Sequence, residues 1–193
     1  RRAWREVPAT VNANELLIDL LHDNLRRLHR ALEAMSDDCL HWKPDAGGNS
    51  IAITVWHIGR LFDVFLTQEV QGKEACDEVW CSNGWAERTG YDPRGIGREG
   101  WGSVNDYTQD EVAAIPRLSR EALLGYCDEV ADRVTAFLSH TGMEELLQAG
   151  PGLEGMYSKY QLIQMALMDN VRHLGEVFTL RSMWERKAGP AQA

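Results

Sequence analysis

The 193-residue sequence has no apolar run long enough to cross a bilayer, which takes about 20 consecutive predominantly apolar residues. A membrane-spanning protein is therefore not expected. Its four cysteines, Cys39, Cys76, Cys81 and Cys127, make neither a Cys-x-x-Cys pair nor a zinc-knuckle spacing, which argues against a thioredoxin-like site and a cysteine zinc site. They read as reduced thiols in a reducing compartment. Positive charge is scarce as well. Twenty Lys and Arg stand against 29 Asp and Glu, a net charge of −9. The closest thing to a basic cluster, Arg26, Arg27 and Arg30, lies on an expected solvent face. A surface of this sign repels phosphate backbones, so nucleic acid is not an expected partner. There is no Gly-x-Ser-x-Gly elbow, phosphate-binding glycine loop or dinucleotide fingerprint. Residues 1–6 are basic but lack the apolar stretch of a signal peptide, so the expected location is the cytoplasm.

What the sequence does have is an ordinary globular composition, 44% apolar and 25% charged, which suits one domain over residues 1–193. Four stretches carry helical periodicity. Over about 14–35, Leu17, Leu21, Leu25, Leu28, Leu32 and Met35 recur three or four apart. The second stretch, to about residue 70, starts at Asn49 or Ser50, either of which can cap a helix. The third covers about 119–140, capped by Ser119 and stopped near Thr141-Gly142; the fourth covers about 157–186, before Gly189-Pro190. Nowhere do β-branched residues alternate for long. The spacing thus predicts an all-α, up-and-down four-helix bundle. One segment does not fit a plain bundle. Residues 72–117 hold Trp80, Trp85 and Trp101 among many glycines, and tryptophans are costly to leave in water. This reads as an ordered excursion over one end of the bundle, serving as a pocket wall or a dimer contact.

Three polar residues occupy positions where the pattern calls for apolar ones. In the fourth stretch, Leu162, Ala166, Asp169, His173, Val177, Leu180 and Trp184 form one stripe, with two ionisable members at its centre. In the second, Ile53, His57, Leu61 and Val64 form another. Burying such groups without partners costs roughly 2–7 kcal/mol each when neutral and more when charged. Either the three satisfy one another or they share a cation. Imidazole and carboxylate suit a divalent metal: zinc first, with nickel and iron as alternatives. The plainer reading, a helix-surface Asp–His hydrogen bond and a satisfied core histidine, stays open. Cys127, beside Tyr126, could serve as a nucleophile but reads better as a structural thiol.

The run from Ser50-Ile51 through Trp56-His57-Ile58 to Asp63, and the run His173-Leu174-Gly175-Glu176-Val177 followed by Leu180-Arg181, resemble the two signature motifs of the DinB-like superfamily. Tyr126 and the region from Trp85 to Gly97 are similar to that layout. The resemblance implies a four-helix bundle, often a homodimer, with a metal held by His57, His173 and the residue four before it. Most members have His there; this sequence has Asp169, and the mycothiol-dependent maleylpyruvate isomerase branch, which uses a carboxylate at that position, implies that Asp169 can keep the site. The resemblance further implies a metal-dependent enzyme that activates a low-molecular-weight thiol, for transfer to a small electrophilic substrate or for its isomerisation. A metal-dependent hydrolase and a non-catalytic bundle that has lost its metal are the alternatives. Within that expectation Glu176 is the candidate catalytic group, orienting a ligand or serving as a fourth one, or else a salt-bridge partner of Arg172 or Arg181. Arg60 is expected to meet an anionic substrate group, and Trp85 and Trp101 to wall the substrate pocket.

Overall fold

The computed structural model describes residues 12–189; residues 1–6, read above as a basic start, and Pro190 lie outside the described residues. Among the described residues nine α-helices occur in the order α1 (Ala13–Leu32), α2 (Asp37–His41), α3 (Ile51–Val64), α4 (Val79–Ser82), α5 (Trp85–Thr89), α6 (Gln109–Ala114), α7 (Arg120–His140), α8 (Met143–Leu146) and α9 (Lys159–Ala188). Among the described residues there is no strand, only two isolated bridges. The four long helices α1, α3, α7 and α9 are the four read from the periodicity. Each starts where a side-chain oxygen takes up a free backbone N–H: Asn12, Ser50, Ser119 and Ser158 accept from Glu15, Ile53, Ala122 and Gln161 respectively. Glu15 and Gln161 close reciprocal capping boxes.

The stripes pack as expected. Leu17, Leu21, Leu28 and Leu32 of α1, Leu123, Val130, Val134 and Leu138 of α7, and Leu162, Ala166, Val177 and Leu180 of α9 are all buried. Helix α3 differs, since every residue from Ile51 to Val64 is buried. A helix enclosed on all sides has no solvent face for its polar residues, so each must find a partner inside. The helix then runs on into a π-helical segment, Phe65–Val70, before Gly72 turns the chain in the left-handed region.

The connectivity differs from a plain up-and-down order. Asn14 bonds Leu138 and Thr141 while His29 meets Asp128, so α1 and α7 are antiparallel. Arg181 reaches the Ala31 carbonyl at the far end, so α1 and α9 run the same way. Leu118 and Leu123 lie beside Ser50, Ala52 and Ile53, whereas Val130 and Ala131, further along α7, lie beside Ile58 and Phe62, further along α3; α3 and α7 thus run the same way. The order is up-down-down-up. The excursion is what makes it so: instead of covering one end, it carries the chain back along the bundle from the end of α3 to the start of α7. It is ordered and built from short helices, with Trp80, Trp85 and Trp101 all buried.

Candidate metal centre

Helix α3 carries polar side chains at every third position: Thr54, His57, Arg60 and Asp63, all buried. Three residues fall short of a full turn, so the row drifts around the axis by about 60° per step. It starts against α9 and ends beneath the excursion. Thr54 Oγ1 donates to Glu176 Oε1 on α9 at 3.3 Å. His57 faces both neighbours, with Nδ1 on the Ser103 carbonyl and Nε2 3.2 Å from Asp169 Oδ2.

Asp169 and His173 are one turn apart on α9, and His173 Nε2 lies 3.5 Å from the same Oδ2. The two imidazoles meet edge-on, 4.5 Å between ring centres. His173 Nδ1 pairs with Glu176 Oε2 at 2.8 Å, and Asp169 Oδ1 accepts from Arg172. One ligand atom from each of His57, Asp169 and His173 thus lies within 4.8 Å of the others.

This donor set fits a divalent cation. Each imidazole has an acceptor on Nδ1, which places the proton there and leaves the Nε2 lone pair facing inward. Two lone pairs and a carboxylate oxygen then face one another, a repulsive arrangement unless a cation, proton or metal, sits among them. Ligands about 2.1 Å from a tetrahedral ion lie about 3.4 Å apart, close to the 3.2 and 3.5 Å separations found. The charges of the groups are tuned together. Burial pushes Asp169 up, but the His57 hydrogen bond and both imidazoles outweigh it, so its carboxyl titrates below the usual range. The Glu176 hydrogen bond raises His173, and the same bond lowers Glu176.

The Ser103 carbonyl is aimed by a tight turn. Gly102 has φ +61°, and a Cβ there would lie 2.2 Å from the Pro93 carbonyl oxygen, so only glycine fits. Val104 follows at φ +75°, a costly conformation for a β-branched residue. The third row member holds this turn, for Arg60 donates to the carbonyls of Gly102 (3.2 Å) and Trp101 (2.7 Å). It also pairs with Glu78 at 2.9 Å and lies 3.5 Å from Asp63. Asp63 accepts from the N–H groups of Val79 and Trp80 and from the Tyr126 hydroxyl, each within 2.9 Å.

These placements change several expectations. Arg60 is fully buried and its donors are committed, so it does not face a substrate. Trp85 stacks on Trp80, meets Tyr126 edge-on and donates to Glu129; it packs the excursion onto α7 and does not line the cleft beside Asp169. Trp101 does line that cleft, edge-on to Phe65 at 5.3 Å. Glu176 sits on the Nδ1 side of His173, away from the shared Nε2 space, so its contact is with the far side of that imidazole. Cys127 is buried and its thiol is pushed up to about 12 by burial, which leaves no nucleophile at neutral pH. Ser103 was invisible to sequence reading because it acts through its backbone. Thr54 was legible in principle, one step of three before His57.

No helix among the described residues is long and apolar enough to cross a membrane. Comparison with curated proteins finds no match. Among solved structures, the chain is similar to a crystal structure described as the conserved protein of locus from Enterococcus faecalis. The TM-score is 0.72 at 18% identity, covering 89% of this chain and 96% of that one. That likeness shows the fold alone. The family model of the DinB superfamily matches residues 20–177, which take in all four long helices in whole or large part and the three converging ligand atoms, and the chain belongs to that superfamily.

Proposed function

We propose that this protein is a metal-dependent enzyme that activates a low-molecular-weight thiol toward a small electrophilic substrate, by transfer or by isomerisation. The observation that carries the reading is the convergence of His57 Nε2, His173 Nε2 and an Asp169 oxygen, with Asp169 also lining an open cleft of about 620 Å³. A divalent metal, zinc first, supplies Lewis acidity that lowers the pKa of a thiol brought to it. His57, Asp169 and His173 would hold the ion and leave a position open to that thiol. The chain's own groups do the rest. Ser103 and Glu176 fix the tautomers of His57 and His173, Arg172 holds Asp169, and Trp101 with Phe65 excludes water from one wall of the cleft. Glu176 is on this reading a positioning residue. A homodimer is also proposed, supported by Leu16 and Leu20 on α1 and Val171 and Phe178 on α9, which are exposed although apolar; light scattering at micromolar concentration reads its mass.

The test is elemental analysis of the protein with His57→Ala and Asp169→Ala, followed by an electrophile assay with and without small thiol. The expected result is near-stoichiometric metal that falls in both variants, with turnover that requires thiol. Turnover independent of thiol replaces the reading with hydrolysis. Absence of metal after reconstitution refutes the metal reading outright.

A further inference from the structure

The cleft beside Asp169 carries more information than its volume. Its walls come from four parts of the chain: Phe65 at the end of α3, Trp101 with the Glu99 carboxylate on the excursion, Leu153 in the connection before α9, and Met165 and Met168 on α9. The indole N–H of Trp101 is already given to Glu69 at 3.1 Å, so that side chain offers the cleft only ring surface. Met168 is 53% exposed, and thioethers adapt to, and bind favourably against, flat conjugated groups. Two guanidiniums also line it, Arg98 from the excursion and Arg172 from α9. Each is tied to a carboxylate at one edge, Arg98 to Asp106 and Arg172 to Asp169, which orients it while leaving further N–H donors free. Their side chains remain 56% and 73% exposed.

An aromatic and thioether lining joined by two oriented arginines matches a particular kind of molecule. From this geometry we infer that the cleft binds an aromatic or conjugated carboxylate, its flat body against Trp101 and Met168 and its anion on Arg98 or Arg172. The inference rests on the proposed function for its place in a reaction, where it names the class of the electrophilic substrate. Carboxylate recognition by a planar guanidinium is bidentate and directional, so the two arginines set which end of the molecule points toward Asp169.

The test uses the full chain reconstituted with zinc, with metal content measured on every sample, and isothermal titration with cinnamate, cinnamamide and acetate. Cinnamate is expected to bind, with the amide about ten-fold weaker, since hydrogen bonds to a charged group are stronger than those to a neutral one, and acetate weaker still, since it lacks the flat body. Arg98→Gln, which touches no candidate ligand, should weaken cinnamate about five-fold and leave cinnamamide unchanged. Trp101→Leu should weaken both. Equal affinity for acid and amide, binding that depends on zinc but is indifferent to Arg98 and Arg172, or no binding of cinnamate, each overturns the inference. The two readings fail separately. Arginine-dependent cinnamate binding by a protein that takes up no zinc keeps the cleft assignment and removes the metal one. Thiol-dependent turnover of neutral electrophiles alone does the reverse.

Discussion

Removing the Glu176 carboxylate while leaving the proposed ligands in place separates orientation from coordination. The 2.8 Å bond from His173 Nδ1 to Glu176 has two consequences for a metal. It keeps the proton on Nδ1, so that Nε2 is the free donor, and the carboxylate makes the imidazole more basic. Groups in this relation to a ligand typically change metal affinity by about 10- to 100-fold. The two side chains here are 30% and 38% exposed, so solvent screens part of the effect and the lower half of that range applies. Glu176→Ala should therefore weaken zinc binding about 10- to 30-fold, about 1.4–2 kcal/mol. Glu176→Gln keeps an acceptor and loses the charge, so its loss should be smaller. Thr54→Val, which frees one carboxylate oxygen, should be smaller again. The assay is competition with a chromophoric chelator at fixed pH and ionic strength. Unchanged affinity in Glu176→Ala refutes the orienting role. A loss as complete as that of His173→Ala would show instead that Glu176 is itself a ligand.

Other consequences follow from the same packing. Asp63→Ala leaves three buried donors and the Arg60 guanidinium short of a partner, and should cost about 3–5 kcal/mol, much of the stability of a typical domain, read by urea denaturation. Zinc bound per folded molecule should change far less than in His57→Ala. Gly59→Ala puts a Cβ 2.7 Å from the Tyr126 ring where α3 and α7 touch, and should cost about 1–3 kcal/mol by the same assay, against a gain of about 0.5–1 kcal/mol for the same change at the open Gly175 inside α9. His41 is held below its usual pKa, first by burial and then by the Arg117 charge, with Asp37 and the Leu118 carbonyl opposing. Between that lowered value and 6.5 the unfolded chain binds more protons, so stability should rise with pH through this window and level off above it. Denaturation curves from pH 5 to 8 should lose that part of the slope in His41→Gln.

The four long helices were legible because each has an apolar stripe and a Ser or Asn cap, and these act within a few residues of chain. Asp169 and His173 were legible for the same reason, as polar members of a stripe. The parallel run of α3 and α7 was not. It follows from where the excursion lands, which Asp63, Glu78 and Arg133 decide through contacts between residues distant in sequence. Arg60 was misplaced because a charged residue after a candidate ligand invites a substrate role, whereas an enclosed helix gives it another task. That task ties the site to the excursion. Arg60 holds the carbonyls of Trp101 and Gly102, the next carbonyl is that of Ser103, and Ser103 fixes the His57 imidazole. The same turn places Trp101 against the cleft. One row of side chains, each three residues from the last, thus sets both the ligand geometry and the position of the cleft wall. A change at Arg60 should therefore move metal affinity and cleft binding together, although it touches neither the ligand atoms nor the occupant of the cleft.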